Sequence, residues 1–235
     1  MTGRSVGAKA YMPKSTFSKI PEEKRNRVLE EAARLFAERG FSQSDMAELA
    51  ARANVAKGSL YDYFESKEDL YTSVCRYALS RSREAVYGGI KSDWDIYRQV
   101  DHIFRRGAAF SFAHPEYIQM YLQITSPGME VFANALTQEV EGYTAGHLKS
   151  VIRRGIQSGI VRSDINVNLT AFLINTLYIV FLASLVSRHF EIRMQEYLEI
   201  RGPVNKRAAK SQSEKLVSLI EGILRPEQAH EKSGQ

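Results

Sequence analysis

Apolar residues along this chain recur almost everywhere at helical spacing, and alternating runs that would argue for strands are short. Val28, Ala32, Leu35 and Phe36 fall at i, i+4, i+7 and i+8, which predicts one buried stripe on a helix. Pro21 suits its first turn, Glu22 and Glu23 favour its dipole there, and Gly40 supplies a left-handed stop. Met46, Leu49, Ala50 and Ala53 repeat the pattern over a shorter helix, which Ser44 can cap. Asn54, a residue that tolerates positive φ, interrupts it. A second short helix follows over 57–64, with Leu60 and Phe64 four apart on its inner side. Ser66 and Asp69 then make a capping-box pattern ahead of a long helix carrying Leu70, Val74, Tyr77 and Ala78, which Gly88 and Gly89 end. Two short helices joined by a tight turn and braced by a third predict a helix-turn-helix.

Further helices are expected over 93–112, 115–125, 129–157, 168–199 and 213–224, with Gly202, Pro203 and the run NKRAAKSQ as a connector before the last. The expected fold class is all-α: a three-helix helix-turn-helix head plus a larger helical body. The division that follows is a flexible basic arm over 1–16, a helix-turn-helix DNA-binding domain over 17–66, a helical body over 67–225, and a disordered tail over 226–235; ligand binding and dimerisation by that body are only what a family resemblance implies. One stretch tests this reading, because 165–187 carries no charged residue and about twenty apolar residues would span a bilayer. Asn166, Asn168, Asn175, Thr170, Thr176 and Ser184 interrupt it, and no second such stretch exists. A helix apolar on all sides also arises when one face packs in its own core and another against a partner subunit.

Charge adds less than the total suggests. The chain has 235 residues and a net charge of +5, but residues 1–70 hold 12 Lys and Arg against 11 Asp and Glu. The exception is 1–20, where Arg4, Lys9, Lys14 and Lys19 occur without an acid, as expected of an arm near phosphates or merely of a solubilising tail. Cys75 is alone, so no intrachain disulfide forms, and the opening MTGRSVGAKAYMPKS has no apolar stretch of signal-peptide length. A cytoplasmic location is expected. His102, His114, His147, His189 and His230 are scattered, and no nucleophile, base and orienting group converge, so neither an enzyme, a metal site nor a cofactor is expected.

The stretch 17–74, FSKIPEEKRNRVLEEAARLFAERGFSQSDMAELAARANVAKGSLYDYFESKEDLYTSV, resembles the DNA-binding domain of the tetracycline repressor (TetR/AcrR) family. The resemblance rests on the LFAERGF turn, the segment AELAARANVAKGSLYDYF and the SKEDLY that follows at once. It implies DNA contacts from Lys57, Gly58, Tyr61 and Tyr63. Small Gly58 and Ser59 would allow close approach to a groove, while Lys57 could reach phosphate or a guanine edge. Ser44 and Lys67 stand at helix starts, where free amide N–H groups favour a phosphate; Ser44 serves equally well as a plain cap. Ala56 stands where the family usually has Ser, and Asn54 where it often has Gly.

The body resembles the family only in IRRGIQSGIVRSDIN before a long helix. The chain from Phe104 to Tyr143 is rich in Phe, Tyr and Met, which can line an apolar pocket or simply fill a core. Candidate ligand contacts are Phe110, His114, Tyr117, Tyr121, Phe132, Tyr143, His147, Asn175 and Tyr178. The expected effector is apolar or amphipathic, since no cluster of positive charge occurs in the apolar helices. A homodimer is expected through Phe181, Leu182, Leu185, Leu216, Leu219, Ile220 and Ile223, presenting two recognition helices to a palindromic operator. The function implied is a sequence-specific repressor released from double-stranded DNA by a small molecule. The alternative is the same DNA-binding fold governed by a protein partner.

Overall fold

Capping side chains set many of the helix boundaries in the computed structural model, which describes residues 12–226. Arg4 and Lys9 of the basic arm, and 227–235 with His230, lie outside the described residues. The described residues form eleven α-helices and no strand: α1 Ser15–Lys19, α2 Glu22–Gln43, α3 Met46–Arg52, α4 Lys57–Tyr63, α5 Lys67–Tyr87, α6 Ile96–Ala113, α7 Pro115–Ile124, α8 Glu130–Gln157, α9 Val167–Val186, α10 Arg188–Leu198 and α11 Lys206–Leu224.

Gly40 takes φ 72° and breaks α2 near its end, and Asn54 takes φ 53° in the α3–α4 turn, as their residue types predict. The Ser66–Asp69 pattern also forms. The Asp69 amide donates to Ser66 Oγ at 3.2 Å, and the Asp69 carboxylate accepts from the Glu65 amide at 3.1 Å.

Four local readings change. The cap of α3 is Asp45, whose carboxylate accepts from the Ala47 amide at 2.6 Å; Ser44 instead turns back and donates to the Gly40 carbonyl at 2.6 Å. The helix expected over 168–199 is two, because Ser187 takes an extended backbone (φ −115°, ψ 124°) where the uncharged run gives way to Arg188. The NKRAAKSQ connector is mostly helix: the Asn205 side chain accepts from the Arg207 and Ala208 amides and starts α11 there. Finally, 15–19 inside and beside the expected basic arm forms α1.

The chain divides into two compact units. The first contains the described residues up to Arg83 together with His114–Val140, so α7 and the first part of α8 join the helix-turn-helix. Here α7 packs on α2, where the Gln123 amide donates to the Ala37 carbonyl at 3.0 Å. The core is aromatic: Phe41 and Tyr71 meet Phe132 at ring distances of 4.9 and 4.6 Å, and Phe36 meets Tyr71 edge-on at 5.0 Å. Around them Leu35, Leu49, Leu60 and Leu70 are fully buried, each stabilising by about 1.5–3 kcal/mol relative to exposure.

The second unit contains Glu84–Ala113 and the chain from Glu141 onward. In it α6 packs against α9 and α11, and α10 folds back on α9. Glu191 of α10 fixes the return by accepting the Val204 amide at 3.0 Å while Arg188 pairs with it at 2.8 Å. Both partners hold the Glu191 carboxyl below its usual range. Phe104 stands in the core between Tyr178 and Phe181, at 5.3 and 5.8 Å. The apolar α9 is half-buried: Ile174, Phe181 and Leu182 face inward while Leu169, Phe172 and Leu173 face out.

Candidate DNA-reading surface and effector cleft

The first unit presents α4 by burying one side of it. Leu60 and Phe64 are fully buried, and the Phe64 amide closes the helix on the Leu60 carbonyl at 2.9 Å. The other side carries Lys57, Gly58 and Tyr61, all exposed, with Tyr61 at 45%. Lys57 and Tyr61 are four apart and share a face. The left-handed Asn54 sets the approach of α3 to α4, and the Val55 amide bonds the Ala50 carbonyl at 2.9 Å. Ala56 is the cap of α4 and makes no side-chain bond, so the Ser-to-Ala departure leaves the first amides of this helix uncapped by a side chain.

Elsewhere the backing of α3 is polar. Arg52 bonds Glu48 at 2.6 Å and Glu38 at 2.8 Å, which ties α3 to α2 and holds the Glu38 carboxyl below its usual range.

The other sequence-predicted DNA residues are placed less openly. Ser59 is half-buried. Tyr63 is only 7% exposed because Phe17 packs on its ring at 5.5 Å, a contact that a reading of 57–64 alone could not include. Ser44 is buried and bonded to the end of α2. Lys67 lies over the Phe41 ring at 4.7 Å, and its ammonium donates to the Ser44 carbonyl at 3.0 Å. Thr16 and Phe17 of α1, and Lys14 just before it, touch α4; charge marks Lys14 only as part of a basic arm, and neither spacing nor charge marks Thr16 or Phe17.

In the second unit, five of the nine candidate ligand contacts occur and four do not. His114, Tyr117, Tyr121 and Phe132 belong to the first unit, where Phe132 is core and Tyr117 stacks on His114 at 5.4 Å. Burial pushes the Tyr117 hydroxyl above its ordinary value. Phe110 is buried in α6. Asn175 and Tyr178 do converge: they line a narrow cleft with Val100, Phe104, Leu148 and Ile174. Tyr87 and Thr144 complete its polar wall, 3.4 Å apart between their hydroxyls. The cleft has room for about one water molecule, ≈ 10 Å³.

Its polar groups are unevenly satisfied. The Asn175 amide donates to Glu141 at 3.1 Å. Tyr178 is buried, and desolvation pushes its hydroxyl far above the ordinary value. That hydroxyl sits so close over Gly107 that a Cβ there would lie 2.3 Å from it; glycine is required for the approach. His147 and Tyr143 flank the cleft on the Tyr87 ring, both at 5.2 Å, and His147 Nε2 is buried without a hydrogen-bond partner. Burial first, then the Arg154 charge, lowers the His147 pKa from 6.5.

Of the residues expected at a dimer interface, Phe181, Leu182 and Ile220 are buried inside the chain itself, because their faces of α9 and α11 serve the second unit's own core. Leu185, Leu216 and Ile223 are half-buried, and Leu219 is 55% exposed. Cys75 is a free thiol that burial pushes up to about 12. Among the described residues, no group of three or more His, Cys, Asp or Glu side chains could hold a metal ion.

An all-helical chain that buries one side of a short helix and offers Lys57, Gly58 and Tyr61 on the other defines a helix-turn-helix DNA-binding protein. Residues 28–74 match the family model described as bacterial regulatory proteins, tetR family. The chain is 24% identical over 167 residues to the uncharacterised HTH-type transcriptional regulator YhgD of Bacillus subtilis (strain 168), covering 71% of this chain and 86% of that protein. It is 29% identical over 161 residues to the HTH-type transcriptional repressor KstR2 of Rhodococcus jostii (strain RHA1), covering 66% and 77%. Its fold is similar to that of the transcriptional regulator FadR from Bacillus subtilis in complex with stearoyl-CoA, with a TM-score of 0.68 at 19% identity over 84% of this chain and 98% of that one. Residues 28–74 thus carry a TetR-type helix-turn-helix, and over most of its length the chain is similar to helix-turn-helix transcriptional regulators.

Proposed function

We propose that this regulator is a cytoplasmic homodimeric repressor that leaves a palindromic operator when a small apolar or amphipathic molecule enters the second unit. The observation that carries the reading is the exposed face of α4. Lys57 suits a phosphate or a guanine edge, Gly58 permits close approach, and the Tyr61 ring suits a thymine methyl. Lys67, Ser44, Ser59 and Tyr63 take supporting roles: Ser59 and Tyr63 lie within α4, and Lys67 directs its charge toward Ser44 ahead of α3.

For the effector, the cleft supplies the argument. Its wall is apolar on one side and carries Tyr178, Asn175, Thr144 and Tyr87 on the other, with no Lys or Arg lining it. Glu141 bonded to Asn175 disfavours a second carboxylate nearby. The inserted part of the effector is therefore uncharged, as a long acyl chain or a fused-ring hydrocarbon is, and any charged headgroup stays outside. A relative named a repressor and a structural neighbour solved with stearoyl-CoA support this class. Entry requires the cleft to widen, and only a ligand that binds the widened form better can shift the population. A hundredfold fall in operator occupancy needs about 2.7 kcal/mol of such coupling, within the usual allosteric range. Helix α5 begins in the first unit and ends in the second, which makes it the lever.

For the dimer, the outward residues Leu169, Phe172 and Leu173 of α9 and Leu219 of α11 replace the buried ones as the contact surface. Phe172→Glu should yield a monomer by light scattering.

Genomic footprinting with the purified protein tests the whole reading. A protected palindrome that stearoyl-CoA or a sterol releases supports it; protection of no site contradicts it. A second reading, regulation by a protein partner, is favoured by Ile192, Tyr197 and Leu198, which α10 exposes. It requires that no apolar small molecule alters footprinting or thermal stability.

A further inference from the structure

Helix α4 has only seven residues, too few to be stable alone, and the last carbonyls of any helix lack partners within it. Here three consecutive carbonyls at that end are taken by one distant segment. Lys14 Nζ donates to the Tyr61 carbonyl at 2.7 Å, Thr16 Oγ1 donates to the Asp62 carbonyl, and the Lys14 amide donates to the Tyr63 carbonyl at 2.8 Å. The Lys14 ammonium thus sits at the negative end of the α4 dipole. Phe17, buried, lies against the rings of Tyr63 and Phe64 at 5.5 and 4.8 Å. The far end of the segment is fixed as well, because the Arg25 guanidinium on α2 donates to the Ile20 carbonyl at 2.7 Å and the Ser18 carbonyl at 3.2 Å.

We propose that residues 14–20 are a clamp that holds the recognition helix in its DNA-reading conformation, with Lys14, Thr16 and Phe17 as positioning residues. The clamp joins Thr16 to Asp62 across 46 positions of chain and is itself held to the start of α2 by Arg25, so that the Tyr61 backbone is fixed while its ring stays free. This function rests on α4 reading DNA, as proposed above; the clamp itself is a property of the free protein. Lys14 acts on a carbonyl of the protein and not on a phosphate, which separates the clamp from a basic arm that adds charge to the duplex contact.

The full chain carrying Thr16→Val, Lys14→Ala, Lys14→Arg or Phe17→Ala tests this in two assays. In amide hydrogen exchange without DNA, Thr16→Val should speed exchange at the Phe64 amide and its neighbours in α4 about tenfold relative to α2. Unchanged α4 exchange in both Thr16→Val and Phe17→Ala overturns the clamp whether or not the protein binds an operator. In operator titrations over a salt series, Thr16→Val and Lys14→Ala should weaken specific binding about five- to tenfold more than random-duplex binding. The slope of log affinity against log salt should stay unchanged, and Lys14→Arg should restore affinity. If Lys14→Ala instead flattens that slope by about one, with equal loss on operator and random DNA and no effect of Thr16→Val, Lys14 is a phosphate contact and the proposal fails. A wild-type chain without operator preference would sink the DNA reading, while the exchange result would still decide the clamp.

Discussion

The polar side chains around α4 and those around the cleft bond differently. Around α4 they reach for main-chain carbonyls: Lys14 to Tyr61, Ser44 to Gly40, Lys67 to Ser44. Around the cleft they meet other side chains in apolar surroundings: Asn175 bonds Glu141, Tyr87 meets Thr144, the Tyr178 hydroxyl packs on Gly107, and His147 Nε2 is left bare. Bonds to main chain lock a surface into one shape, which suits a helix that must meet a groove in fixed register. An under-satisfied polar wall costs stability while empty and gains when a ligand arrives with complementary groups.

The sharpest way to break this contrast is to damage one unit and watch the other. Replacing Lys57 and Tyr61 together with Ala should lower operator affinity about a hundredfold in fluorescence anisotropy, at about 1–3 kcal/mol for each contact with base or phosphate. Melting temperature and the thermal shift given by stearoyl-CoA should not move, since both side chains are exposed. Gly107→Ala is the counterpart in the second unit. Its methyl would meet the buried Tyr178 hydroxyl at 2.3 Å, so calorimetry should register a loss of about 1–3 kcal/mol and the effector response should vanish while operator binding persists. Next in size, Tyr178→Phe removes a hydroxyl from the cleft wall. Chemical denaturation should find stability changed by less than about 1 kcal/mol, while the effector concentration needed for release rises about tenfold, the size of one lost hydrogen bond.

The smallest effect is one of pH. Because burial lowers the His147 pKa, the unfolded chain takes up that proton first as pH falls below 6.5. The stability that neutral His147 contributes is therefore present above that value and is lost on acidification. His147→Gln should make the fall in Tm between about pH 7.5 and 5.5 shallower, as scanning calorimetry can check.

How far residues alone foretell each region follows from the same contrast. The helix-turn-helix is made by neighbours in sequence: Gly40 and Asn54 supply positive φ, Ser66 and Asp69 cap α5, and Leu60 and Phe64 turn inward four apart. Such signals survive in a one-dimensional pattern. The clamp does not, because Lys14 and Tyr61 are 47 positions apart and nothing in KSTF announces its target. Nor does the cleft, whose wall comes from α5, α6, α8 and α9. Aromatic density between 104 and 143 pointed to a pocket, yet Phe132 and Tyr117 fill the core of the first unit. Periodicity on α9 and α11 marks apolar stripes, but with apolar residues on every side it cannot tell which stripe faces inward, and Phe181, Leu182 and Ile220 are buried within the chain's own core.

The most direct test of the account is the ratio of affinities for the footprinted operator and for a shuffled duplex, measured at about 0.15 M salt with the wild-type chain. The account predicts a preference of at least about a thousandfold that falls about a hundredfold when Lys57 and Tyr61 are both Ala. Equal affinity of the wild-type chain for the two duplexes, or a preference left undiminished by the double substitution, would contradict it.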